Sequence, residues 1–514
     1  MIYRLGIDVG GTNTDAVILD RDNQLVAKAK VATTEDIITG ILNALEGVLR
    51  ESSLRPKEIQ YAMFGTTHCT NAIVERRNLA KVGIIRIGRP ATLSIKPLIS
   101  WPQDLVGEIG GYAHIVKGGH EYDGRELFPL EEDEIKGAIG DLEEKGVEAI
   151  AVSSVFSPVN SEHERRVAEI VRETLPVSLS HEIGSLSLLE RENAAILNAA
   201  VMRVAKTAIN SLERALKERN IHAQLYMTQN DGTLMSAEYA MKYPVLTIAS
   251  GPANSLRGGA FLSGLKNAIV VDVGGTTTDV GVLVNGFPRE SAVAVEIGGV
   301  RTNFRMPDLI SMGLGGGSLV EDADGDVRVG PRSVGYELEK EALIFGGEKL
   351  TATDIAVYLN RVRLGDPSKV ENLDRTLAEM ADKKITRMVE ETIDKMKTSP
   401  DPVPIVFVGG GSILLPDALK GALKVIKPPH FEVANAIGAV IAQVSGEIDR
   451  VFSLEKTERE DVLKEAKEIA AREAVKAGAD PGTVEIVDVE EVPLAYLPGN
   501  AIRIRVKAAG FLKM

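Results

Sequence analysis

Residues 5–19 and 270–283 share one order of apolar and polar positions: an apolar run, an Asp, a Gly-Gly-Thr turn, a second Asp and another apolar run. Asp8-Val9-Gly10-Gly11-Thr12-Asn13-Thr14-Asp15 returns as Asp272-Val273-Gly274-Gly275-Thr276-Thr277-Thr278-Asp279. Short apolar runs bounded by turn residues read as buried strands, so each copy predicts strand, tight turn, strand. In the first half, residues 2–31 predict three strands, ending at Val9, over 14–19 and over 25–31. Ile37, Ile38, Ile41, Leu42, Leu45, Val48 and Leu49 then recur at helical spacing and predict an amphipathic helix. A strand over 60–64, a turn at 65–67, a helix over 68–77 and a strand over 81–87 follow. The second half repeats the order with strands over 269–273, 279–284 and 292–297, a long helical insertion, and a strand over 404–408 running into a Gly-rich turn and a helix.

This repeated order resembles the lobe plan of the actin, sugar kinase and Hsp70 ATPases: an α/β fold of two related, ribonuclease H-like lobes around an ATP cleft. The segments expected are a first lobe over 1–200, a second lobe with a helical insertion over 201–446, and a small C-terminal α/β extension over 447–514. Two Ala-rich helices, over 193–204 and 435–444, are expected to cross at the hinge between lobes, where small residues permit close approach. A dinucleotide-binding unit is excluded, because its Gly-rich turn opens a helix and this one opens a second strand.

Composition narrows the classes of function. The chain has 514 residues, 44% hydrophobic and 26% charged, a formal charge of −14 and one cysteine. That field opposes a grip on nucleic acid or on an anionic membrane surface, so neither is expected as a partner. A single Cys69 excludes an internal disulfide framework and suits a reducing compartment. With no run of about 18 apolar residues and no basic-then-apolar leader, a cytoplasmic protein is expected.

The chemistry sits in the turns. Paired glycines let backbone N–H groups approach a phosphate, and threonine hydroxyls add donors, so Gly10, Gly11, Thr12 and Asn13 with Gly274, Gly275, Thr276 and Thr277 are the candidate phosphate binders. Asp8 and Asp272 are the candidate metal-binding and catalytic carboxylates, one holding Mg2+ and its waters, the other orienting the attacking oxygen, in either order. The plain alternative is an Asp that accepts its own turn's N–H bonds. In the architecture resembled, Gly409, Gly410, Gly411 and Ser412 pass close to the adenosine. By pseudo-symmetry the turn at 65–68 then faces the phosphate acceptor, which nominates Thr66, Thr67, Asn71 and Arg76 as substrate-binding and His68 as a proton carrier. Glu190 to Asn193 are expected at the cleft. His114, His120 and Asp123 lie within a Gly-rich loop, although their spacing matches no strong metal-ligand pattern.

Several blocks in order resemble the hydantoinase A and 5-oxoprolinase family of the actin-like ATPase superfamily: 8–15, Gly65-Thr66-Thr67-His68-Cys69-Thr70-Asn71-Ala72, Ser180-His181-Glu182-Ile183, Glu190-Arg191-Glu192-Asn193, Ser250-Gly251-Pro252-Ala253, 272–279 and Gly313-Leu314-Gly315-Gly316-Gly317-Ser318. The resemblance implies ATP- and Mg2+-dependent hydrolysis of a small cyclic amide or imide through phosphorylation of a carbonyl oxygen, with a B-type partner subunit in an oligomeric assembly. A carboxylase subunit or small-molecule kinase of the same superfamily is the alternative enzyme. A nucleotide-switched binding protein is the non-enzymatic one.

Overall fold

In the computed structural model, residues 2–513 are described except 35–36, 172–173, 185, 292–293, 324, 456 and 496–499. Two sheets carry the repeated motif. In the first, Tyr3–Val9 pairs antiparallel with Asn13–Leu19, which pairs with Leu25–Ala32, while Ile59–Gly65 joins Tyr3–Val9 in parallel. In the second, Ala268–Val273 pairs antiparallel with Thr278–Val284, and Val403–Val408 joins it in parallel. The registers match, with Asp8 opposite Asp15 and Asp272 opposite Asp279. Strand residues such as Leu5, Ile7, Val17, Val271 and Val280 are fully buried, as apolar runs covered on both faces require.

Several elements differ from the sequence expectation. The run over 81–87 forms the strand Val82–Arg89, but it stands in a separate four-stranded parallel sheet with Tyr112–Lys117, Ala149–Ser154 and Val177–Leu179. The strand that follows Ile59–Gly65 in the first sheet is Gln224–Thr228, reached through the 31-residue helix Leu188–Glu218. The run of Val and Ile in Val82–Arg89 fits either sheet, and only non-local pairing chooses between them.

The third strand beside the second motif is Leu309–Met312. The strand expected over 292–297 begins outside the described residues, and its remainder, Val295–Ile297, closes on Val300–Thr302 as a two-residue hairpin. Gly298 and Gly299, at φ +57° and +85°, make that turn, as a Gly-Gly pair between apolar runs does.

Chain order and sheet membership also diverge. Leu234–Ser236, Val444–Ser453, Ala501–Gly510 and Glu485–Pro493 extend the first sheet outward from Gln224–Thr228, giving nine strands. The C-terminal extension thus continues a lobe instead of standing apart. Its charged helix, Arg459–Lys476, buries Val462, Ala466, Ala470 and Ala474, spaced by four, and Ala474 packs so closely on the sheet that a Cβ on Gly446 would lie 2.0 Å from its nitrogen.

The crossing helices are Ser250–Ser263 and Ala434–Val440. A Cβ on Gly258 would stand 1.8 Å from the Ala434 carbonyl oxygen, and one on Gly438 1.8 Å from that of Asn254. The Ala-rich stretch over 193–204 lies instead in Leu188–Glu218, which packs on the four-stranded sheet. Its Glu192 is buried in an ion pair with Arg86 at 2.5 Å and accepts a bond from Ser153 Oγ at 2.6 Å, while Arg191 donates to the Ser154 carbonyl at 2.6 Å. These charges, expected at the cleft, hold a core together.

Candidate functional site

The two Gly-Gly-Thr turns meet. Thr12 Oγ1 lies 3.4 Å from Thr276 Oγ1, and a Cβ on Gly275 would come within 2.5 Å of Thr12 Oγ1. Each turn is closed by the same backbone bond, Gly10 N–H to the Asn13 carbonyl at 3.0 Å and Gly274 N–H to the Thr277 carbonyl at 2.9 Å. Different residues hold them. Thr33 secures the first, donating its hydroxyl to the Gly10 carbonyl at 2.8 Å and its N–H to that of Thr12 at 2.9 Å. Behind the second, Gly316 and Gly317 donate N–H bonds to the carbonyls of Gly274 and Gly275, at 3.0 and 2.7 Å. Only glycine fits there, since a Cβ on Gly315 would reach 2.6 Å from Thr276 N. The Gly-rich block over 313–318 is the bed of the second turn.

Each leading Asp presses on a glycine of the neighbouring parallel strand. A Cβ on Gly65 would lie 2.0 Å from Asp8 Oδ1, and one on Gly409 would lie 2.2 Å from Asp272 Oδ1. Asp8 is buried and accepts amide bonds from Asn254 at 2.8 Å and Asn435 at 3.0 Å, one on each crossing helix. Burial pushes its carboxyl up to about 6; the amide donors oppose this, and the charges of Asp15 and Asp272 add to it. Burial likewise raises Asp272, opposed by a hydrogen bond from Ser255 and the charge of Lys30. Asp279 is pushed up to about 6 by burial against the hydroxyl of Ser311, and Asp15 is raised by burial against its ion pair with Lys30. Asn254, Asn435, Ser255 and Lys30 escape a reading by motif, because none lies within the repeated eight residues.

The remaining candidates separate. Gly411 packs on the second turn, where a Cβ would stand 2.4 Å from the Gly274 carbonyl oxygen, and the Gly410 backbone faces Lys30. Ser412 is buried, and its hydroxyl has no hydrogen-bond partner among the described residues. On the first lobe Thr67 donates to the Val9 carbonyl at 3.5 Å, next to the first turn, and Asn71 donates to Thr67 Oγ1 at 3.5 Å. His68 bonds Thr66 Oγ1 through Nδ1 and lines a small cavity inside the first lobe with Cys69, Ala205, Met227 and Thr247. Burial lowers its imidazole, favouring the neutral ring.

Arg76 is engaged away from the turns, with Asp104 at 3.0 Å and the carbonyls of Ile73 and Gly298 at 2.6 and 2.7 Å. His114 pairs with Asp141, His120 stacks on His163 and Asp123 holds Arg125, three separate settings. Among the described residues no group of three or more His, Cys, Asp or Glu is set to hold a metal, and no helix is long and apolar enough to cross a membrane.

Comparison with known proteins agrees with this architecture. Residues 4–175 match the model of the hydantoinase/oxoprolinase N-terminal region, and 191–448 that of hydantoinase/oxoprolinase. The chain is 30% identical over 402 residues to the acetophenone carboxylase gamma subunit of Aromatoleum aromaticum, an alignment covering 70% of this chain and 53% of that one. It is also 30% identical over 390 residues to the caprolactamase subunit alpha of Pseudomonas jessenii, covering 70% and 54%. The alignments thus span about half the length of these relatives. The crystal structure of the ATP-dependent caprolactamase from Pseudomonas jessenii superposes with a TM-score of 0.74 at 20% identity, covering 99% of this chain and 88% of that one. With both halves of the chain matched by the two family models, the protein belongs to the hydantoinase/oxoprolinase family.

Proposed function

We propose that this chain is the ATP-hydrolysing subunit of an enzyme that activates a small cyclic amide or imide, of the hydantoin or 5-oxoproline kind, by phosphorylating a carbonyl oxygen. The observation that carries the reading is the contact of two equivalent Asp-Gly-Gly-Thr turns at Thr12 and Thr276, one from each lobe. Such a pair presents backbone N–H groups and hydroxyls from opposite sides to one chain of phosphates. A Cβ on Gly11 would meet nothing within 4 Å among the described residues, leaving room there for a ligand, and the unpaired Ser412 hydroxyl offers a further polar contact. Bound Mg-ATP supplies a transferable phosphoryl group.

Asp8 and Asp272 suit Mg2+, which is held by one or two carboxylates while water and phosphate complete its shell. Their elevated carboxyls fit the same role, since an entering cation stabilises the charged form that burial disfavours. Asp8, held by two amide donors, is the better placed to orient an attacking oxygen. Thr67 and Asn71, beside the first turn, would receive the acceptor. Arg76 is not retained in that role, because its guanidinium already serves Asp104, Ile73 and Gly298.

The similarity to a caprolactamase alpha subunit supports ring opening of a cyclic amide and the presence of a partner subunit, and that to a carboxylase gamma subunit supports a second outcome, carboxylation of an activated carbonyl compound. ATP turnover with hydantoins, 5-oxoproline and lactams, with and without a B-type subunit and bicarbonate, tests both. Amide-stimulated ADP release with ring opening is expected. Turnover that demands bicarbonate favours the second outcome, and turnover indifferent to every acceptor contradicts both.

A further inference from the structure

Four carboxylates line the two hairpins, Asp8, Asp15, Asp272 and Asp279, and among the described residues one ammonium is in contact with any of them. Lys30 stands directly across the strand pair from Asp15, with Nζ 2.7 and 2.9 Å from the two carboxylate oxygens. Asp15 is 3% exposed at its side chain while Lys30 is 31% exposed, so the carboxylate is fixed inside and the ammonium reaches outward. It reaches toward the other lobe. Nζ donates to the Glu432 carbonyl at 3.0 Å, and Cε lies 3.7 Å from where a Cβ on Gly410 would sit. Its charge is also felt at Asp272. The Glu432 carboxylate does not neutralise it, being taken by Lys28 at 2.5 Å. Lys30 therefore reaches from Asp15 on the first hairpin to the Glu432 carbonyl, with its stem beside Gly410.

Resting on the nucleotide reading above, we propose that Lys30 is a phosphate-binding residue of the same site, aimed by Asp15. An ammonium on a partly exposed stem can exchange one neutral carbonyl partner for a charged phosphate oxygen while keeping its carboxylate anchor. The site needs such a cation, because the chain's −14 charge and the four local carboxylates both repel a polyphosphate.

The test compares Mg-ATP and adenosine binding by calorimetry for the wild type, Lys30→Gln, and the double variant Lys30→Gln/Asp15→Asn, which preserves hydrogen-bonding groups while removing both charges. Both variants are expected to bind Mg-ATP about tenfold or more weakly, as loss of one charge-assisted bond implies, with adenosine affinity held and a shallower salt dependence for ATP. Equal losses for ATP and adenosine, or no loss, overturn the assignment while leaving the nucleotide site intact. Recovery of ATP affinity in the double variant also overturns it, because Lys30 would then serve only to neutralise Asp15. Failure of the wild type to bind Mg-ATP overturns the underlying reading as well.

Discussion

At the level of single residues the two leading carboxylates are alike in register and unlike in surroundings. Asp8 takes one amide bond on each oxygen, from side chains 246 and 427 residues distant in the chain. Asp272 leans on Gly409 and takes a hydroxyl from Ser255. If Asp8 orients the attacking oxygen, Asp8→Asn should lower amide-stimulated ATP turnover by about 10²–10⁴, the range for a positioned proton acceptor, without unfolding the protein. Steady-state ADP release measures this, and unchanged turnover removes Asp8 from the chemistry. Gly65 is a second test. Its Cβ would strike both Asp8 Oδ1 at 2.0 Å and Asn254 Nδ2 at 2.4 Å. Gly65→Ala should cost about 1–3 kcal/mol of stability, as overpacking does, together with most of the ATP turnover. Urea unfolding beside the turnover assay checks both parts.

The same scale shows what a sequence conceals. The placement of Asp8, Asp272 and the turn glycines on matching hairpins is legible because it is written within eight consecutive residues, repeated. That of Asn254, Asn435 and Lys30 is not, since each acquires its partner through folding. Arg76 shows the converse: pseudo-symmetry grouped it with the acceptor residues, while Arg76, itself left-handed at φ +56° where its helix ends, pairs with Asp104 and the Gly298 carbonyl.

Among elements, the hairpins formed where local patterning put them. Sheet membership was the part that could not be read. The apolar positions of Val82–Arg89 carry no mark of their sheet, since its Arg86 finds Glu192 only after folding, and the nine-stranded sheet joins segments from Tyr3–Val9 to Ala501–Gly510. The hairpin at Gly298 and Gly299 carries a local signal, a Gly-Gly pair between two short apolar runs. The crossing helices needed three-dimensional contact to find, because Gly258 and Gly438 identify themselves only when the facing backbones are in view. A Cβ on either would lie within 1.8 Å of a carbonyl oxygen on the other helix. Gly258→Ala or Gly438→Ala should force the helices apart, costing about 1–3 kcal/mol or more, and should weaken Asp8's hold because Asn254 and Asn435 ride on those helices. A urea midpoint equal to wild type in either variant contradicts the close crossing.

Across the whole molecule, a buried charge cluster ties the C-terminal strands to the second lobe. Lys507, on Ala501–Gly510, pairs with Asp231 at 2.5 Å and Glu290 at 3.5 Å, and Arg305 and Arg505 join Glu290 and Glu447 around it. Burial alone would raise the Asp231 carboxyl, but the Lys507 charge and hydrogen bond, with the Thr233 hydroxyl, outweigh it and hold the group at about 2 against an ordinary 3.8. Because the folded value is depressed, the unfolded chain binds the proton more tightly. This stabilisation is present above pH about 4 and is lost as the pH falls toward 2. It amounts to roughly 2 kcal/mol at 1.36 kcal/mol per unit. Urea unfolding at pH 7, 4 and 3 should show Asp231→Asn less stable at pH 7 and with a flatter acid loss than wild type. Parallel losses in the two proteins contradict the pairing.

The claim on which the functional reading depends is that the two turns share one nucleotide. A crystal structure with Mg2+ and a non-hydrolysable ATP analogue tests it most directly. The phosphates are expected between residues 10–13 and 274–277, the metal beside Asp8 and Asp272, and the adenosine against Gly409–Ser412. A nucleotide bound elsewhere, or turns that contact no phosphate, would contradict it.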